Sequence, residues 1–246
     1  MTDAIDRVKL VYFMLGLMLS GAVFLNVMVL ATPQGNGAPS NPESFMALSE
    51  DRTANLMRVP VLAVGERHNT GDVAAMTVQG IPGNSNIYLR TSPYVDPTLQ
   101  QSSNTAAHVA RGYAGDEEMD FIITYEIVSS YLGGESSGAA KAIAMIAIYE
   151  DMGLEEGTII TGTIYPNGRI GAVSGLQEKI EAASGQGFER ILIPAAQVTI
   201  PFSERFSLRP SKEIGMEELI RLAEERFGIE VIPVRDIQEA KELMLI

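Results

Sequence analysis

A chain of 246 residues, 46% of them hydrophobic, can bury one ordinary core with a small appendage, which bounds it to a single folded domain. Its 31 acidic against 18 basic side chains give a net charge of −13 without any basic stripe, which argues against nucleic acid as a partner. The absence of Cys excludes disulfides, thiolate metal sites and thiol nucleophiles, and two histidines, His68 and His108, leave little scope for a histidine base or a zinc site.

Residues 10–31 form an uncharged run, LVYFMLGLMLSGAVFLNVMVLA, about 33 Å long if helical and therefore long enough to span a bilayer. Arg7 and Lys9 precede it and no Lys or Arg follows until Arg52, so the positive-charge bias places the N-terminus in the cytoplasm and the rest outside. A signal peptide cleaved after Val29-Leu30-Ala31, releasing a secreted domain, is the alternative. Residues 1–31 are thus read as an anchor or signal peptide. Residues 32–55, rich in Pro, Gly, Asn and Ser, are read as a flexible linker, and residues 56–246 as the folded domain.

Within that domain, β-branched and partly alternating stretches at 59–65, 72–80 and 86–90 predict a three-strand meander. A helix is expected over 98–113, a strand over 121–128 and an almost all-round apolar, hence buried, helix over 138–151. Strands at 158–165 and 169–173 flank a turn at Pro166-Asn167-Gly168. The remaining expectations are helices over 177–184, 216–227 and 237–244, with strands at 190–193 and 229–234. The class is α+β or α/β with a mixed sheet. Residues 197–217, with two prolines and several charges, receive no functional assignment.

Two residues stand out chemically. Ser136 follows a strand in Gly133-Gly134-Glu135-Ser136-Ser137-Gly138, at the entrance to the buried helix, where unpaired N–H groups and the positive end of the helix dipole would stabilise an oxyanion. A plain N-cap serine is the alternative. Lys179 lies on the inward face of its helix beside Leu176, Ala182 and Ala183, where burial would lower its pKa toward that of a base; a lysine snorkelling past small alanines is the alternative. A serine hydroxyl needs such a base to become a nucleophile. Ser137 and Lys141, four apart on one helix, form a rival pair.

These residues, together with Thr161-Gly162-Thr163, Gly168-Arg169-Ile170, the run 175–183 and Ile191-Leu192-Ile193-Pro194, resemble the proteolytic domain of Lon proteases, most closely the archaeal membrane-associated type. The resemblance implies a Lon-type α+β fold and a Ser-Lys dyad with Ser136 as nucleophile and Lys179 as base. It also implies that Thr161 hydrogen-bonds the lysine and that Gly134, Glu135 and Ser137 support the nucleophile. It implies a serine endopeptidase in a homo-oligomeric ring; with no phosphate-binding loop to couple ATP to unfolding, unstructured polypeptide substrates are expected, and no cofactor or metal. The chain departs from the family's pattern at Thr163, where Glu is common, and at Ile122 and Thr124, where many members have histidine.

The run from Gly133 to Lys141 does not satisfy the phosphate-binding loop, whose lysine directly follows the second glycine, so ATP-driven unfolding would fall to a separate ATPase. Asp116, Glu117, Glu118 and Asp120 lack the alternating ligands of a calcium loop and are expected to form a solvated acidic turn. The competing functional reading is a non-catalytic Lon-fold module for assembly or substrate binding.

Overall fold

The computed structural model describes residues 55–64, 70–91, 94–115, 118–126, 131–197, 199–202 and 212–246. The expected membrane segment and the linker up to residue 54, with His68, Asp116 and Glu117, lie outside the described residues. Among the described residues no helix is long and apolar enough to cross a membrane.

The chain order is β1 (Leu56–Val64), β2 (Gly71–Pro82), β3 (Ile87–Arg90), β4 (Tyr94–Val95), α1 (Pro97–Arg111), β5 (Met119–Glu126), β6 (Tyr131–Leu132), α2 (Gly138–Glu150) and β7 (Thr158–Ile160). There follow β8 (Thr163–Ile164), β9 (Ile170–Gly171), α3 (Leu176–Gly185), β10 (Arg190–Pro194), β11 (Ile200–Phe202), β12 (Lys212–Ile214), α4 (Met216–Phe227), β13 (Glu230–Val234) and α5 (Ile237–Met244). This is a mixed α+β architecture, the class that the Lon resemblance implies and one of the two that the element pattern leaves open.

The expected meander is corrected in its third strand. The larger sheet has the order β1-β2-β5-β3, so β5 lies between β2 and β3, antiparallel to the first and parallel to the second. Strand β5 (MDFIITYE), with Phe121, Ile123 and Tyr125 buried, takes an inner position, while β3, with alternating exposure, takes the edge. A smaller parallel sheet has the order β13-β10-β7.

Two-residue periodicity makes β2 the partition between two cores. Ala74, Met76 and Val78 enter one apolar cluster, which includes α2, while Val73 and Ala75 enter the other with Ile180, Ile191 and Leu219. Helix α2 is buried at every position from Gly138 to Ile148, as its all-round apolar sequence demands. Helix α1 starts at a true cap, the Asp96 carboxylate accepting from Thr98 N–H, followed by Pro97. Its i, i+3, i+4, i+7 stripe of Leu99, Ser102, Ser103 and Ala106 faces inward, so two serines are carried into the interior with the apolar residues.

The strand expected at 158–165 is broken after three residues. Thr161 N–H still donates to Leu192 O of β10 at 3.0 Å, but Gly162 N–H turns to Ser136 O at 2.9 Å. Beyond them β8 and β9 close the expected hairpin over Pro166-Asn167-Gly168, with Gly168 at φ +80°. The unassigned segment supplies β11 and β12, an antiparallel pair that puts Ile200, Phe202 and Ile214 into the second core. Asp120 also departs from expectation. It is buried rather than solvated, and its Oδ1 accepts from the N–H groups of Asn84 and Asn86 at 2.8 Å each, tying the β2–β3 turn to β5.

Candidate functional site

The segment between β6 and α2 holds Gly134, Glu135, Ser136 and Ser137. It is held at its start by Gly134 N–H donating to Thr98 Oγ1 at 3.3 Å. Glu135 is exposed, while Ser136 and Ser137 are partly buried. Ser137, not Ser136, occupies the N-cap position of α2, and its side chain makes no capping bond; its Oγ pairs instead with Tyr125 OH at 3.1 Å. Ser136 therefore does not play the capping role that was its bland alternative. The helix-start N–H groups are partly committed, because Gly138 N–H donates to Glu135 O and Ala139 N–H to Gly162 O. This corrects the expectation of a wholly unpaired helix start and leaves the Ser136 and Ser137 N–H groups without a backbone acceptor among the described residues.

The turn is pressed close to its neighbours. A Cβ on Gly138 would lie 2.8 Å from Ile164 Cγ2 and 3.1 Å from Ser102 Oγ, so only glycine lets α2 approach β8 and α1 this closely.

Lys179 enters from α3, which begins after Gly175 at φ +63°. Its side chain is 3% exposed, and Nζ donates to Thr161 Oγ1 at 3.3 Å. Thr161 Oγ1 in turn donates to Ser136 O at 3.4 Å. Burial pulls the Lys179 pKa down to about 8, against the opposing pull of the neighbouring Glu178 carboxylate. Lysine, threonine and the serine-bearing turn are thus linked by hydrogen bonds, although the Ser136 hydroxyl makes no hydrogen bond to Lys179 among the described residues.

Lys141 turns away from Ser137, so the rival pairing is not formed. Its Nζ reaches α1, donating to Ser102 Oγ at 3.0 Å and Leu99 O at 3.3 Å. Burial lowers its pKa to about 7, again opposed by a carboxylate, that of Glu135. Ser102, Thr98 and Tyr125 did not emerge from the sequence as site residues. The available signal was Lys141 itself, a cation inside an otherwise apolar helix, which must meet acceptors on whatever packs against it. His108 is exposed on α1, beside a shallow cavity of about 430 Å³ lined also by Pro97, Gln101 and Pro166 that contains none of these groups.

Residues 129–202 match the family described as the Lon protease (S16) C-terminal proteolytic domain. The chain is similar to the archaeal Lon protease of Methanocaldococcus jannaschii, 33% identical over 115 residues that cover 47% of this chain and 14% of that protein. It is 29% identical over 145 residues to the archaeal Lon protease of Pyrococcus abyssi, covering 58% and 13%. Against the Lon protease of Phenylobacterium zucineum it is 26% identical over 169 residues, covering 64% and 21%. The chain therefore spans only a small part of the length of these relatives.

Proposed function

Because residues 129–202 carry the Lon-type proteolytic domain sequence, we propose that the chain is a serine endopeptidase in which Ser136 is the nucleophile and Lys179 the base. The observation that carries the reading is the buried amine of Lys179, with a pKa near 8, tied through Thr161 to the main chain of Ser136. A base must be neutral at its working pH, and a lysine reaches that state only where burial disfavours its charge.

In the proposed reaction Ser136 Oγ turns to Lys179 Nζ when substrate is bound, gives up its proton and attacks a peptide carbonyl. The N–H groups of Ser136 and Ser137 are the proposed oxyanion donors. The intermediate collapses as protonated Lys179 gives its proton to the leaving amine, and water, deprotonated by Lys179, then hydrolyses the acyl ester and frees Ser136. Thr161 keeps the lysine aimed at the turn. Gly134 and Glu135 shape its entrance, with the Glu135 charge at the mouth.

The substrates are proposed to be unstructured polypeptides, since these 246 residues carry no phosphate-binding loop to couple ATP to unfolding, and the proposed partners are like subunits in a ring and a separate ATPase. Residues 56–246 form the peptidase domain in this reading, 32–55 the linker, and 1–31 a single-pass anchor that leaves the domain outside the cell.

The test is hydrolysis of an unstructured fluorogenic peptide. Activity in the wild type that is lost in Ser136→Ala and Lys179→Ala, both still folded by circular dichroism, is expected. Equal activity in wild type and Ser136→Ala would overturn the assignment, and a folded chain without activity would favour the non-catalytic assembly module.

A further inference from the structure

The second buried lysine has no part in that mechanism, yet its contacts repeat those of the first. Lys179 Nζ donates to a hydroxyl, Thr161 Oγ1, which donates to the main-chain carbonyl of Ser136. Lys141 Nζ donates to a hydroxyl, Ser102 Oγ, which donates at 3.4 Å to the main-chain carbonyl of Glu135. The two relays arrive from different elements, α3 with the Thr161 turn and α2 with α1, and end on adjacent peptide units of one turn.

We infer that Lys141 and Ser102 form a positioning device that fixes the Glu135 peptide, and through it the Ser136 hydroxyl, in register with Lys179. Their hydrogen bonds leave no direct chemical role: Lys141, 0% exposed, gives its donors to Leu99 O and Ser102 Oγ, and Ser102 gives its proton to Glu135 O, so neither has a group aimed at a substrate. The donor arithmetic suits a structural role: a neutral amine has two N–H bonds, and two acceptors, Leu99 O and Ser102 Oγ, receive them. Ser102 then spends its only proton on Glu135 O. Each group has one place to point, and buried networks with every member satisfied specify one geometry. Gly138 makes room for the relay, since any side chain there would come within 3.1 Å of Ser102 Oγ.

A misplaced reacting group costs rate more than binding. This inference rests on Ser136 as nucleophile only for its kinetic readout. In the full chain, Lys141→Met, which keeps the buried volume, and Ser102→Ala are each expected to lower kcat on the fluorogenic peptide about tenfold with KM within twofold. The double variant should be no worse than either single one, because both remove the same tether. Amide hydrogen exchange in peptides covering residues 133–138 should quicken in both variants while exchange in β2 and β5 is unchanged, a readout independent of activity. Unchanged kcat and unchanged exchange, losses that multiply in the double variant, or a loss carried by KM or by general unfolding would each overturn the inference. If the wild type matches Ser136→Ala in activity while exchange still quickens, the peptidase reading fails and the tether stands.

Discussion

Lys179 and Lys141 are chemically the same group in similar surroundings, and the comparison separates a proposed base from a proposed brace. Burial lowers both pKa values, to about 8 and about 7, so depressed basicity does not tell them apart. Hydrogen bonding does. Lys141 is fully enclosed and donates to two acceptors on α1, whereas Lys179 retains slight exposure and donates to a single hydroxyl, leaving its lone pair and one N–H bond for a partner that arrives with substrate. A perturbed pKa marks a candidate, and unspent hydrogen-bonding capacity beside a reachable nucleophile turns the candidate into a base.

The largest effect that would break this contrast is loss of the proposed base. Lys179→Ala should lower kcat by at least about 10³-fold, and Lys179→Arg should be no better because a guanidinium stays charged. Adding Ser136→Ala should cost little more, since the two act as a unit. Steady-state hydrolysis checks this, and a Lys179→Ala enzyme with near-normal kcat would exchange the roles of the two lysines.

The pH profile is the next lever. Only neutral Lys179 can accept the serine proton, so activity should rise about tenfold per pH unit below the pKa near 8 and level off above it. A rate–pH curve between pH 6 and 10 measures this; a flat profile would remove the lysine from the rate equation.

Thr161 gives a smaller, sharper cut. Thr161→Val keeps shape but removes the oxygen between Lys179 and Ser136, and kcat should fall about tenfold at saturating peptide. Thr161→Ser keeps the oxygen and should retain most of it. Equal losses in the two variants would mean that the methyl packing, not the hydroxyl, matters.

The contrast also has a thermodynamic side. Both lysines have folded pKa values below their ordinary 10.5, so over the window between the two the unfolded chain binds more protons than the folded one. Stability is therefore lowest below about pH 7 and climbs as pH rises toward 10.5, by at most about 1.4 kcal/mol per pH unit for each lysine. Lys141→Met should remove its share and flatten the first part of the climb. Urea unfolding at pH 6.5, 8 and 9.5 would show it, and a slope unchanged by Lys141→Met would mean that its ammonium is accommodated in the fold.

Much of this was legible in the sequence. The α2 run GAAKAIAMIAIYE reads as a buried helix, and the register of α3 sets Lys179 on its inward face beside Leu176 and Ala183. The position of β5 between β2 and β3 was not legible, because strand order is set by pairing between segments distant in the chain, not by local pattern. Ser102 was hidden for a related reason. A serine at i+3 from Leu99 reads as a polar interruption of a core stripe, and becomes intelligible only when the lysine of another helix is seen to end on it. The commitment of the Ala139 N–H group was equally invisible, since it depends on a turn at Gly162 that leaves its strand to meet α2.

The smallest expected effect uses the fact that each lysine has its own carboxylate. Glu178 opposes the loss of charge at Lys179 and Glu135 does so at Lys141, each against a larger pull from burial. Neutralising one glutamate should therefore move one titration in preference to the other. Glu178→Gln should carry the rising limb of the activity profile to lower pH by a few tenths of a unit, the size expected when a solvent-screened charge of about 0.2–1 kcal/mol is removed. Glu135→Gln should instead lower the pH at which stability begins to climb. Raising ionic strength should mimic both changes in the wild type, because salt weakens the carboxylate pull and leaves burial untouched. Activity and unfolding measured side by side at low and high salt would test the pairing. A Glu178→Gln variant that shifts the stability onset but leaves the activity limb in place would show that the lysine beside it is not the group whose proton limits the reaction.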